Sequence, residues 1–280
     1  MNLGEHPGTP PRPHGQGFAS IHGIKLHYES AGEGDPVLFI HGLGSSVLDW
    51  EYQIPAFAPS YRAIAMDVRG HGRSEKPAGP YSVQQFASDA VELLRALDAA
   101  PAHVVGLSMG GMIAFQMGVD APGAVRSLTI INSGPEMILR TPEQRAAIEA
   151  RYEIVRAQGM RPLAKAIAGP LFPKPEQSAL RQRFEDHIAA NEPTAYLDSL
   201  TAINGWSVSE RIGAIVCPVL IVASDQDYTP VEWKRLYASQ IPKARVAVIE
   251  DSRHAAPLDQ PELLNHLVLE FIRSSGLRQP

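Results

Sequence analysis

The chain has 280 residues, of which 44% are hydrophobic and 20% charged, and its formal net charge is −5. This composition is typical of a globular protein with a large buried core, and one α/β domain often fills such a length. The absence of a basic stripe argues against nucleic acid or an anionic membrane as partner, and a lone cysteine, Cys217, excludes an intrachain disulfide.

The N-terminal segment, residues 1–17, is rich in proline and glycine and lacks the apolar core of a signal peptide. We expect it to be a flexible tail. No stretch approaches the roughly 18 apolar residues that a membrane span requires. The sequence therefore predicts a cytoplasmic protein that is not attached to a membrane.

Strand-like segments recur along the chain after this tail. Phe18–Ser30 alternates apolar and polar residues around His22-Gly23, which predicts an antiparallel hairpin. Later apolar runs are continuous, as expected for strands buried on both faces. These runs are Pro36–His41, Arg62–Val68, Ala102–Ser108, Ser127–Ser133, Pro218–Ser224 and Ala244–Asp251.

Helix-like segments lie between the strands. Val83–Ala99 has helical spacing of apolar residues and a capping box beginning at Ser82. Thr229-Pro230 predicts the capped start of a second helix, and Pro261–Ser275 reads as a C-terminal amphipathic helix. Such alternation predicts a mainly parallel sheet covered on both faces.

The interval 135–211 interrupts this alternation because it contains helix-like pieces and no convincing strand. It predicts a helical cap inserted between the strand that ends near Ser133 and the strand that starts near Pro218. The core domain would then comprise residues 18–134 and 212–280. The predicted helices of the insertion are Thr141–Gln158, Arg161–Ala168, Pro175–Asn191 and Glu192–Ile203.

Ser108 lies in the sequence Gly-Leu-Ser-Met-Gly, between an apolar strand and an apolar helix, Met112–Met117. This G-x-S-x-G context predicts a nucleophile elbow. A sharp strand-to-helix turn strains the serine backbone and brings the residues two positions before and after it close together. Both positions therefore require small residues, and here they are Gly106 and Gly110. Ser108 is therefore the candidate nucleophile.

A serine hydroxyl needs a base to activate it, and the base needs an acid to orient it. The expected chain order is serine, acid, histidine. Asp225 and Asp227 follow one strand and His254 follows the last, so all lie at carboxyl ends of strands. Asp227 is favoured over Asp225, which is better suited to cap the turn.

The loop after the first parallel strand, His41-Gly-Leu-Gly44, is a candidate source of an oxyanion donor. We predict that the main-chain N–H groups of Leu43 and Met109 form the oxyanion hole. His41 is expected to brace the loop. The segment 67–74 is interpreted as structural, with Asp67 pairing to Arg69.

Together these pieces resemble the α/β-hydrolase superfamily from about Phe18 to Ser275. The matching segments are HGLG (41–44), DVRGHGRS (67–74), GLSMGG (106–111), SDQD (224–227) and RHAAPLDQPE (253–262). The resemblance implies an eight-stranded, mostly parallel sheet flanked by helices. It also implies a triad of Ser108, Asp227 and His254, with the interval 135–211 as a lid.

Two positions depart from the usual family pattern, since Ser224 and Arg253 stand where glycine is common. Ser108 is unlike the aspartate of haloalkane dehalogenases and epoxide hydrolases. Ala255 stands where C–C bond hydrolases of ring-cleavage products often have tryptophan. The chain most resembles the enol-lactonase, small-carboxylesterase and cofactor-free peroxidase-like branches.

The resulting hypothesis is hydrolysis of a carboxylic ester or lactone of a small, partly apolar molecule through an acyl-enzyme on Ser108. Tyr152, Phe172 and Trp206 are candidate pocket residues. We expect no metal and no cofactor, and the sequence leaves a homodimer open. The alternatives are a C–C bond hydrolase, a cofactor-free perhydrolase, or a non-catalytic ligand-binding protein on the same scaffold.

Overall fold

The computed structural model describes residues 15–276. The predicted tail, 1–17, therefore lies outside the described residues except for its last three, which belong to the first strand. The strands are β1 (Gly15–Ile21), β2 (Ile24–Ala31), β3 (Pro36–Ile40), β4 (Arg62–Met66), β5 (Ala102–Leu107), β6 (Val125–Ile131), β7 (Val219–Ser224) and β8 (Ala244–Ile249).

Ten α-helices accompany the strands in this part of the chain. They are α1 (Gln53–Phe57), α2 (Val83–Ala96), α3 (Met109–Asp120), α4 (Pro142–Gln158), α5 (Met160–Leu171), α6 (Ser178–Ala189), α7 (Pro193–Ile203), α8 (Val231–Ala238), α9 (Ala256–Asp259) and α10 (Pro261–Gly276). Short 3₁₀ turns cover Val47–Trp50, Pro122–Ala124, Pro175–Gln177 and Ser209–Ala214. Between residues 15 and 276, no helix is both long and apolar enough to span a bilayer.

All eight strands form one sheet in the order β1-β2-β4-β3-β5-β6-β7-β8. The pairs β1–β2 and β2–β4 are antiparallel, and every pair from β4 to β8 is parallel. The predicted eight-stranded, mostly parallel sheet is confirmed. Its parallel strands are continuous apolar runs because both faces are covered.

Residues along each central strand alternate between two apolar layers. On β3, Leu38 and Ile40 pack in the layer that contains α2 and α3, whereas Val37 and Phe39 pack in the layer that contains α1 and α10. Burying continuous apolar strands on both sides is the main favourable contribution to the stability of such a sheet. It also holds the loops at the strand ends on a rigid base.

Helices α4 to α7 lie between β6 and β7, so the predicted helical insertion is confirmed. The Thr141 capping box opens α4, with the hydroxyl accepting from the Gln144 N–H and the Gln144 side chain accepting from the Thr141 N–H. The Ser82 hydroxyl likewise caps α2. The cap predicted at Thr229 is wrong, because α8 begins after Pro230 and the Thr229 hydroxyl has another partner.

Candidate active site

The loops that carry the candidate residues follow neighbouring parallel strands. Leu43 follows β3, Ser108 follows β5, Asp227 follows β7 and His254 follows β8. Because the carboxyl ends of parallel strands share one edge of a sheet, all four loops lie along that edge. Open α/β sheets build their sites at such an edge.

Ser108 occupies the sharp corner between β5 and α3 with φ +54° and ψ −116°. A positive φ is unfavourable for a residue with a side chain and is found mainly where the surroundings enforce it. The corner is tight: a Cβ atom on Gly106 would lie 2.2 Å from the Gly110 carbonyl oxygen, and one on Gly110 would lie 2.0 Å from that of Ile40. The two glycines therefore allow the bend that projects Ser108 from the sheet.

Asp227 and His254 are in direct contact. The Asp227 Oδ1 lies 2.6 Å from the His254 Nδ1, and the carboxylate is completely buried while the imidazole is 17% exposed. Burial alone would raise the pKa of Asp227, but the hydrogen bond and the charges of His254 and Lys234 hold it well below its usual range. Asp227 is therefore an ionised acceptor that fixes the orientation of the imidazole.

Asp225, the alternative acid, points elsewhere. Its Oδ1 accepts a hydrogen bond of 3.1 Å from the main-chain N–H of Ser252, which orders the loop before His254. Its own N–H donates to the carbonyl of Ile249. The contacts of Asp225 are those of a turn residue.

Two further side chains, which the sequence analysis did not single out as site residues, bind the second oxygen of Asp227. The Thr229 hydroxyl donates to Oδ2 over 2.7 Å, and the Lys234 Nζ lies 2.6 Å from the same oxygen. The Lys234 side chain is completely buried. The sequence carries one signal that Lys234 is buried. It precedes Tyr237 and Ala238 by three and four residues on α8, so all three lie on the same buried face of the helix.

The two candidate oxyanion donors follow neighbouring strands, since Leu43 lies after β3 and Met109 begins α3 after β5. Neither the Leu43 N–H nor the Met109 N–H donates a hydrogen bond to another residue within 15–276. The Met109 N–H is the first of α3, where main-chain donors are free and the helix dipole is positive. Nearby, a Cβ atom on Gly42 would lie 3.5 Å from the Ser108 Cβ, so this loop passes directly beside the serine.

Buried polar groups hold the loop after β3 in place. The His41 ring accepts from the Val68 N–H at Nε2 over 3.0 Å, and its Nδ1 lies 2.7 Å from the Gly42 carbonyl oxygen. Burial lowers the pKa of His41 to about 4, so the ring is neutral at pH 7. Asp49 completes the brace, since its carboxyl group contacts the Ser45 hydroxyl and the Gly42 N–H.

The predicted pair of Asp67 and Arg69 is wrong. Asp67 pairs with His27 over 2.8 Å and accepts from the main-chain N–H groups of Val47 and Arg73. Arg69 instead forms a two-pronged pair with Asp89 on α2. Asp67 and Arg69 are both buried, and their side-chain partners, His27 and Asp89, are 40 and 20 residues away in the chain.

The three predicted pocket residues each have a partner within the fold. The Tyr152 hydroxyl lies 2.9 Å from the Thr201 hydroxyl, and the Trp206 indole N–H donates to Gln116 over 2.7 Å. Phe172 is completely buried and packs in a small cluster with Ala255, the residue after His254. Their contact with a substrate stays a prediction.

Two other aromatic residues contact the candidate triad and the candidate oxyanion loop, His41–Gly44. The Tyr228 ring stacks on His254 with 4.5 Å between the ring centroids. Tyr196, on α7, packs against Gly44, where a Cβ atom would lie 2.9 Å from its ring. The Asn191 side chain donates to the Gly44 carbonyl over 2.5 Å. The helical insertion thus contacts the oxyanion loop directly.

Within the described residues, no group of three or more His, Cys, Asp and Glu side chains could hold a metal ion.

Fold and site together define the class of protein. Residues 35–261 match the family model described as alpha/beta hydrolase fold. The chain belongs to this family.

Two relatives and one solved structure show which named hydrolases this chain is similar to. The chain is 33% identical to RutD of Azorhizobium caulinodans, provisionally named a carbamate hydrolase, over 88% of this chain and 94% of the relative. It is 28% identical to 3-oxoadipate enol-lactonase 2 of Acinetobacter baylyi, over 88% and 92%. Among solved structures, Est816, described as an N-acyl homoserine lactone degrading enzyme, superposes with a TM-score of 0.79 at 31% identity, over 91% and 100%.

Proposed function

We propose that this protein is a serine hydrolase that cleaves a carboxylic ester or lactone through an acyl-enzyme on Ser108. The observation that carries the proposal is the buried Asp227–His254 pair, 2.6 Å between Oδ1 and Nδ1, at the same edge of the sheet as a serine held at a strained corner. An acid-oriented imidazole and a partly accessible serine hydroxyl are what activation of a weak nucleophile requires.

The proposed first half of the reaction forms the acyl-enzyme. His254 takes the proton of Ser108 as the serine oxygen attacks the substrate carbonyl. The N–H groups of Leu43 and Met109 bind the oxyanion, and Asp227 stabilises the imidazolium. The imidazolium then protonates the leaving alkoxide.

In the second half, His254 takes a proton from water, and the resulting hydroxide attacks the acyl carbonyl. The same two N–H groups bind the second oxyanion, and Ser108 leaves with the proton from His254. This sequence uses only groups of the chain and water. For a lactone, the leaving alkoxide and the acyl group stay in one product molecule.

The choice of an ester or lactone has support from two relatives, since one is named an enol-lactonase and a second is described as degrading N-acyl homoserine lactones. We propose that α4 to α7 cover the site and that Tyr152, Phe172 and Trp206 contribute to an apolar pocket there. Ala255 in place of tryptophan after His254 disfavours C–C bond hydrolysis.

Labelling with a fluorophosphonate probe tests the proposal. Wild type should be labelled on Ser108, and Ser108→Ala should not be labelled. Equal labelling of both proteins, or none of wild type, would reject a serine hydrolase and favour a ligand-binding protein.

Substrate comparison tests the finer claim. Turnover of p-nitrophenyl acetate and γ-lactones should exceed that of a ring-cleavage dienoate and of peroxide-dependent bromination. A preference for the dienoate by orders of magnitude would replace ester hydrolysis by C–C bond hydrolysis.

A further inference from the structure

A buried lysine lies behind the candidate catalytic acid. The Lys234 Nζ is 2.6 Å from the Asp227 Oδ2 and 3.0 Å from the Thr229 carbonyl oxygen, and its side chain has no exposed surface. Burying an ammonium group is unfavourable unless it is paired and hydrogen-bonded. Lys234 meets this condition by pairing with Asp227, the carboxylate that also binds His254.

The two oxygens of Asp227 have separate partners. Oδ1 binds the His254 Nδ1 over 2.6 Å, while Oδ2 binds the Thr229 hydroxyl over 2.7 Å and the Lys234 ammonium over 2.6 Å. Since a carboxylate is planar, holding Oδ2 from α8 also fixes the direction of Oδ1. The orientation of the imidazole is thus set from the far side of the acid.

We infer that Lys234 is a positioning residue of the triad, whose buried ammonium holds Asp227 in register with His254 and offsets part of its negative charge. The inference rests on the proposed function. It concerns a residue that does not touch the reacting atoms and acts only through Asp227.

The charge has a kinetic consequence. A lone buried aspartate would stabilise the imidazolium strongly and keep His254 protonated, hence unable to act as a base, up to a higher pH. The ammonium beside the same carboxylate opposes this attraction through a low-dielectric region. Lys234 therefore weakens the stabilisation of the imidazolium by Asp227, and its removal should strengthen that stabilisation.

Other charged and titratable groups also face this pair. They are Tyr228, whose ring centroid lies 4.5 Å from that of His254, Tyr237 on α8, Arg151 on α4, whose charge acts on Tyr228, and Arg253, the residue before His254. Burial raises the pKa of Tyr237 well above its usual value, and its hydroxyl donates to the Ser133 carbonyl, so it stays neutral. None of these groups contacts an oxygen of Asp227 in the hydrogen bonds between described residues, so Lys234 is the cation best placed to act on it.

The test is the pH dependence of kcat/KM, which reports the essential base of the free enzyme. In Lys234→Met the midpoint of the acid limb should move upward by about one pH unit, since one unit-charge interaction at this range is removed. Lys234→Arg should restore the wild-type midpoint. Thr229→Val, which removes a donor from the same oxygen and no charge, should leave the midpoint in place.

A purely structural role predicts a different pattern. It would lower kcat/KM by the same factor at every pH, so an unmoved acid limb in Lys234→Met would overturn the inference. If Lys234→Met does not fold, Lys234→Gln keeps a polar group for the Thr229 carbonyl and should show the same shift. Failure of both neutral variants to fold would assign Lys234 to stability alone and also overturn it.

A second readout does not depend on turnover. In ¹⁵N-histidine-labelled Ser108→Ala protein, the NMR titration midpoint of His254 should rise on adding Lys234→Met. This result would stand even if fluorophosphonate labelling rejected the serine hydrolase, which separates failure of the proposed function from failure of the inference. An unchanged midpoint would overturn the inference directly.

Discussion

The side-chain amide of Asn132 donates to the main-chain carbonyl of His254 over 3.0 Å. The residue before it, Ile131, accepts the N–H of Ser108 at its main-chain carbonyl, also over 3.0 Å. The candidate base and nucleophile are therefore both attached to the carboxyl end of β6, at consecutive residues. Asn132 also binds the Ser224 hydroxyl and the Arg253 carbonyl, with φ +46°.

Asn132→Asp should lower kcat about ten- to hundredfold with little change in KM, because a misplaced base affects the transition state more than ground-state binding. Aspartate keeps the volume and tolerates the positive φ, but it loses the donor to the His254 loop. Steady-state kinetics with a p-nitrophenyl ester measure the effect. An unchanged kcat would show that the loop is held adequately without this amide.

The two aspartates after β7 should differ sharply in function. Asp227→Asn removes the charge that orients His254 and should reduce kcat by about 10³–10⁴, by the usual behaviour of triads. Asp225→Asn retains an oxygen that can accept from Ser252 and should stay within about threefold of wild type. Circular dichroism of both variants checks folding, and inactivation by Asp225→Asn alone would reverse the assignment.

Main-chain donation by Leu43 is testable through proline. Leu43→Pro removes the N–H and should lower kcat by about 10²–10³, the usual cost of one oxyanion donor. Leu43→Ala keeps the N–H and should lower kcat much less. The pair separates the role of the main chain from that of the side chain, and equal losses in both variants would exclude the proposed donor.

The tight corner at Ser108 predicts a large difference between two glycine substitutions. A Cβ atom on Gly110 would lie 2.0 Å from the Ile40 carbonyl oxygen, whereas one on Gly123 would have no heavy atom within 4 Å. Gly110→Ala should lower the free energy of unfolding by about 3 kcal/mol or more, and Gly123→Ala should change it by less than about 0.5 kcal/mol. Urea denaturation measures both values, and a mild effect at Gly110 would mean that the corner can relax.

His103 on β5 should make stability depend on pH. Burial, with a smaller contribution from the Arg126 charge, lowers its pKa to about 4. The unfolded chain binds a proton near pH 6.5 and the folded chain only near pH 4, so stability falls as the pH drops through this window. His103→Gln removes this dependence.

As the pH falls from 7 to 4, the free energy of unfolding of His103→Gln should therefore rise relative to that of wild type by about 3 kcal/mol. Urea denaturation at several pH values measures the difference. A constant difference across that range would show that His103 titrates alike in the folded and unfolded chains.

Local patterns in the sequence predict most of the fold. The apolar runs and the Thr141 capping box identify β3 to β8 and α4, because buried strands and helix starts depend on adjacent residues. Side-chain pairing does not follow from adjacency. Asp67 and Arg69 are two residues apart yet bind His27 and Asp89, which only the folded chain brings near.

The candidate site shows the same division. The strand ends and the G-x-S-x-G motif suffice to select Ser108 and His254 as candidates. The sequence does not indicate Lys234, because its contact with Asp227 depends on the direction of α8, which turns a residue seven positions after Asp227 back toward the acid. The pocket residues are hardest to predict, since packing among α4 to α7 decides which aromatic rings face inward.

The contacts of Asn191 and Tyr196 with Gly44 link the helical insertion to the loop of Leu43. An outward swing of α6 and α7 would break a hydrogen bond to this loop and withdraw the ring that packs on it. In the proposed reaction, opening a path for product would then loosen a candidate oxyanion donor, and closure over the next substrate molecule would restore it. Release of product and assembly of the proposed oxyanion hole would thus depend on the same movement of the helical insertion.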